Sequence, residues 1–110
     1  MADATTTLGE LKEAVRRFTT ARRWEPYHSP KNLAMALAVE AAELMEPFLW
    51  LTTDESRRLA DDPARRAALA DELADVAFQL LNLCVTLDID LGDAFTAKLA
   101  KNAQKYPAGE

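Results

Sequence analysis

Glu40 and Glu43 stand three residues apart in "EAAEL", and Glu72 and Asp75 repeat that spacing in "DELADV". Each doublet lies inside a long apolar-periodic stretch that reads as helix. On a helix, three-residue spacing points both carboxylates of a pair toward one side. Two such helices packed face to face gather four carboxylates around one point. Ionised carboxylates share a small volume only when a cation neutralises them or a proton is taken up. The pattern therefore predicts a hard-cation site with oxygen ligands. Mg²⁺ is the expected occupant, and Mn²⁺ accepts the same ligands.

The helical positions sharpen that expectation. With Leu33 as the reference direction of its helix, Glu40 points roughly 20° away, inside the arc that also holds Leu37, Leu44 and Phe48. Glu43 falls on the edge of the arc. In the other acidic helix, Leu69, Leu73, Val76, Leu80 and Leu83 define the main apolar arc. Glu72, Gln79, Asp75 and Asn82 form a polar edge beside it, while Phe78 and Leu81 face elsewhere. Glu40 and Glu72 are expected deep, and Glu43 and Asp75 at the rim. Acidic doublets at this spacing are also common on solvated helices. Placement of Glu40 in the apolar arc and the second doublet weigh against that reading. A di-iron bundle would use Glu-x-x-His pairs; the one histidine, His28, falls instead in a loop.

These residues are carried by an all-α chain. Alanine and leucine dominate, glycine is scarce, and no stretch alternates as a strand does. A first helix is expected from Leu8 to Arg23, opened by a Thr7–Glu10 capping box. "RRWEPYHSPKN" then breaks the pattern with Pro26 and Pro30. Ser29 caps a second helix beginning at Pro30 and running to about Phe48, with Pro47 threatening its last turn. A turn-rich segment holds a short helical turn near 54–59. Asp62 caps a third helix that starts at Pro63 and runs to Leu87. Asp90, with Asp93 as reciprocal partner, caps a fourth from Leu91 to Lys105. The 110 residues, 1–110, make one domain, and four long helices predict a bundle.

Composition limits the partners. The net charge of −5 argues against a stable nucleic-acid partner or an anionic membrane surface. No apolar run reaches membrane-spanning length and no signal peptide is evident, so a cytoplasmic location is expected. The single cysteine, Cys84, lies in the third helix and reads as a core thiol. The nearly continuous apolar circumference of the third helix predicts burial by a partner copy.

The combined pattern resembles the all-α nucleoside triphosphate pyrophosphohydrolases of the MazG-like superfamily. That family's signature is "ExxE" followed after a gap by "ExxD", matched here by Glu40, Glu43, Glu72 and Asp75. Within it the chain is most similar to the dCTP pyrophosphatase group. "WEPYHSPKNL" (24–33) resembles the segment before that group's first acidic helix. Trp50 resembles the aromatic closing that helix. "KLAKNAQKYP" keeps Lys98, Asn102, Tyr106 and Pro107 in the group's relative positions. Ala42 departs from a position often held by glycine, and the loop after Trp50 varies in length across the family.

The resemblance implies hydrolysis of a nucleoside triphosphate, with dCTP preferred, to monophosphate and pyrophosphate. It implies Mg²⁺ held by the four acids, which serve as metal ligands and catalytic groups, and a homo-oligomer, either a dimer or a dimer-of-dimers tetramer. Substrate contacts are expected from Trp24, His28, Asn32, Trp50 and Tyr106 around the base. Lys31, Lys98 and Asn102 are expected near phosphate or sugar. Two other readings remain open on sequence. One is a related pyrophosphohydrolase acting on dUTP, a modified nucleotide or phosphoribosyl-ATP. The other is a non-catalytic helical protein whose acids bind metal or a partner.

Overall fold

Helix boundaries follow capping chemistry closely. The computed structural model describes residues 1–109 and contains five α-helices: α1 (Leu8–Ala21), α2 (Pro30–Met45), α3 (Thr53–Arg58), α4 (Pro63–Leu87) and α5 (Leu91–Lys105). Thr7 and Glu10 form the expected capping box, with Glu10 N donating to Thr7 Oγ1 and Thr7 N to Glu10 Oε1. Ser29 Oγ accepts from Asn32 N, and Asp62 Oδ2 accepts from Arg65 N. Asp90 Oδ1 accepts from Asp93 N at 2.8 Å. Among the described residues the reciprocal bond expected from Asp93 is not formed. Its side chain is one methylene shorter than the glutamate that closes such a box.

Two helices stop earlier than the apolar pattern suggests. The first ends at Ala21, and Arg23 adopts a left-handed backbone with φ 55°. The second ends as an α-helix at Met45 and tightens into a 3₁₀ turn over Glu46–Phe48. Pro47 has no N–H to continue the ladder. The turn-rich segment forms α3 under a Thr52–Glu55 capping box, then a 3₁₀ turn over Leu59–Asp61.

Helices α2 and α4 make the most extensive contact, and α1 packs on α4. The turn after α3 covers the start of α4. The buried apolar residues are few: Val15, Leu33, Leu59, Leu81 and Cys84. Leu73 and Leu80, members of the expected main apolar arc of α4, are 56% and 37% exposed. The α4 residues fully buried within the chain are Leu81, Asn82 and Cys84, while Leu69, Val76 and Leu83 of that arc are half-buried. The fold is an all-α bundle, but its fourth long helix, α5, contributes no buried residue. No helix is long and apolar enough to cross a membrane, among the described residues.

Candidate metal centre

The α2–α4 contact brings the two acidic doublets together. One carboxylate oxygen from each of Glu40, Glu43 and Glu72 lies within 4.8 Å of the other two. This is the one such group of three or more potential ligands among the described residues. Glu40 and Glu72 are half-buried, and Oε2 of each is buried without a hydrogen-bond partner. Burial, followed by the charges of Glu43 and Asp75, pushes the Glu40 carboxyl above the usual carboxylate range. Burial, again followed by Glu43 and Asp75, does the same to Glu72.

Asp75 is exposed and stands outside the tight trio, although its charge reaches both half-buried glutamates. The donor set is all carboxylate, and two buried oxygens have no hydrogen-bond partner among the described residues. Those properties fit a hard divalent cation.

A cavity of about 520 Å³ opens beside the trio. Glu43, Glu46 and Glu72 line one part of it, Leu51 and Leu59 another. Arg65, on the first turn of α4, is its one cationic lining residue. Sequence reasoning missed Arg65 because "DDPARR" carries only a cap signal. Its position one helical turn after that cap, and about two turns before Glu72, was the available clue.

The residues expected around a base divide into separate places. His28 lines a second cavity of about 340 Å³, between α1 and α4, that shares no lining residue with the first. Trp24 packs edge-on to His28 and to Phe18, with ring centroids 5.7 Å and 5.5 Å apart. Phe18 in turn meets Phe78 of α4. Asn32 donates its side-chain amide to Tyr27 O, so that group ties the preceding turn to α2. Lys31 is exposed on the first turn of α2, about 14 Å along the helix from Glu40. Trp50 is 93% exposed, and Tyr106 is exposed beyond α5. Lys98 is exposed and Asn102 half-buried on α5. None of these last five residues lines either cavity within the single chain.

The MazG-like family model matches residues 35–110. The chain belongs to the MazG-like family. It is 39% identical over 101 residues to dCTP pyrophosphatase 1 of Mus musculus, covering 92% of this chain and 59% of that protein. The Homo sapiens protein of the same name is 38% identical over 102 residues, covering 93% and 60%. The chain thus spans about six-tenths of the length of the curated relatives it matches. The crystal structure of a pyrophosphatase from Archaeoglobus fulgidus DSM 4304 is 36% identical, with a TM-score of 0.86. That match covers 98% of this MazG-like chain and 99% of the archaeal one.

Proposed function

We propose that this MazG-like chain hydrolyses a nucleoside triphosphate, preferentially dCTP, to the monophosphate and pyrophosphate. The observation that carries the reading is the trio Glu40, Glu43 and Glu72, with two buried carboxylate oxygens that have no hydrogen-bond partner among the described residues. Names of the similar proteins point to the same reaction class.

Glu40, Glu43 and Glu72 would hold Mg²⁺, with Asp75 completing the set from the adjacent turn of α4. Bound Mg²⁺ supplies charge neutralisation of the triphosphate and polarisation of the bond to be broken. The paired helices keep the carboxylates close before substrate arrives, so little reorganisation is needed. Arg65 supplies a positive group to the phosphate chain inside the adjoining cavity. Attack of water on the α-phosphorus forms the new P–O bond as the bond to pyrophosphate breaks. One of the cluster carboxylates would accept the water's proton.

Trp24, His28 and Trp50 serve the base, through stacking and through the edge of the imidazole. Lys98, Asn102 and Tyr106 lie on or after α5, which contributes no fully buried residue in the single chain. Their contribution to phosphate, sugar or base is made in a homo-oligomer, a dimer or a dimer of dimers.

A panel of nucleoside triphosphates tests the reading by pyrophosphate release with Mg²⁺. The expected ranking places dCTP first, and Glu43→Ala and Asp75→Ala abolish turnover while far-UV circular dichroism stays helical. Equal turnover of every nucleotide would reject the dCTP preference. Turnover in rigorously metal-free protein, or full activity in both variants, would reject the metal-centred mechanism.

A further inference from the structure

The chain's single histidine is held by a buried amide on α4. Asn82 is only 3% exposed, between the buried Leu81 and Cys84. Its Nδ2 lies 2.9 Å from His28 Nδ1, across 54 positions of sequence. A primary amide nitrogen donates and does not accept. With the amide in this orientation Nδ1 is the acceptor, and the proton of the neutral ring falls on Nε2. Trp24 packs edge-on against the same ring, so one nitrogen is occupied and the ring is braced. Nε2 has no hydrogen-bond partner among the described residues. The ring also borders the second cavity, which is within the size range of small-molecule sites.

We infer that Asn82 is a positioning residue that fixes His28 as the Nε2–H tautomer, so that the ring offers one donor to an acceptor atom of a nucleobase. A buried amide is disfavoured unless it is bonded, and an apolar residue would pack the same turn of α4 without that requirement. The amide selects which face of the hydrogen-bonding code His28 shows. With the proton on Nε2, the ring meets a carbonyl oxygen or an unprotonated ring nitrogen. With the proton on Nδ1, the ring would meet an amino or imino hydrogen instead. The inference rests on the proposed role of His28 at the base, and it adds what sets that role.

Long-range ¹H–¹⁵N correlation of the uniformly ¹⁵N-labelled wild-type protein reads the tautomer directly, because the chain has one histidine. The expected spectrum shows a protonated Nε2 and an unprotonated Nδ1. A protonated Nδ1, or rapid averaging of the two forms, would overturn the inference without any variant being made. Asn82→Asp replaces the donor by an acceptor and is expected to move the proton to Nδ1. Asn82→Ala is expected to give a mixture. In either variant the ratio of kcat/KM for dCTP over dUTP should shift about tenfold, mainly through KM, with Mg²⁺ dependence unchanged. A changed tautomer with an unchanged ratio would overturn the positioning role. Absence of nucleotide hydrolysis by the wild type, with the Nε2–H signal intact, would count against the proposed function and leave the Asn82–His28 lock standing.

Discussion

Glu40 and Glu72 bring like charges into a half-buried place, and the resulting shifts fix a pH signature. Both carboxyls are held above the usual range by burial first and by Glu43 and Asp75 second. In the unfolded chain a glutamate titrates near its ordinary value of about 4.3. Between that value and the raised folded values, the metal-free folded chain holds more protons than the unfolded one. Its stability from these two groups is greatest at low pH and falls as pH rises through that window. Glu13, Glu25 and Glu55 act in the opposite sense. Hydrogen bonds, from Arg16, Thr20 and the Thr52 backbone respectively, lower their carboxyls, favouring the fold above the unfolded value. A comparison with Glu40→Gln removes those shared contributions. Metal-free Glu40→Gln should melt higher than wild type at pH 7, and the gap should narrow toward pH 4. Thermal unfolding in EDTA across that range measures the gap. A constant gap would mean that Glu40 is not protonated more readily in the folded chain.

At the scale of the elements, stability depends on helix ends. Helix α4 carries Glu72 and Asp75, and Asp62 holds its first turn through the bond from Arg65 N at 2.9 Å. Asp62→Ala should lower stability by about 1 kcal/mol. The other end closes with Ile89 N bonding to Cys84 O and Asp88 N to Val85 O, around a left-handed Asp88. Asp88→Gly should relieve the side-chain penalty of that conformation and raise stability by about 0.5 kcal/mol. Urea unfolding at one fixed protein concentration checks both signs. These ends were legible in sequence because each uses local chemistry: Thr7, Ser29, Asp62 and Asp90 all cap where their neighbours predict. Premature endings were less legible. Arg23 gives no sequence sign of its positive φ, whereas Pro47 did mark the second helix's last turn as threatened, and that turn is 3₁₀. The acidic trio was legible because helix spacing aligns each pair locally. Asn82 was not, since its partner is 54 positions away and periodicity cannot report a long-range bond.

For the whole molecule, the single chain leaves much apolar surface without a partner. Its radius of gyration is 16.7 Å, whereas a compact chain of this length is expected near 13 Å. Helix α5 contributes no fully buried residue, and its Phe95 and Leu99 are 61% and 56% exposed. Met35, Val39 and Met45 on α2, Leu73 on α4 and the nearly bare Trp50 extend the exposed apolar surface. Burying such side chains is worth about 1.5–3 kcal/mol each for the larger aliphatic and aromatic residues. A chain with so few buried apolar residues is expected to gain a large share of its stability by association. The sequence showed that α4 was apolar nearly all round, but not which part would stay uncovered, because that division depends on where α1 and α2 dock. Sedimentation equilibrium at low micromolar concentration should give a dimer or larger species. Its melting temperature should rise with protein concentration, since unfolding is then coupled to dissociation. Replacing Phe95 and Leu99 together by Ser is expected to shift the equilibrium toward monomer and reduce turnover, while Mg²⁺ binding by the trio on α2 and α4 persists. A wild-type protein that sediments as a folded monomer, with a concentration-independent melt and full turnover, would show that the open α5 face is tolerated and that Lys98 and Asn102 need no partner to act.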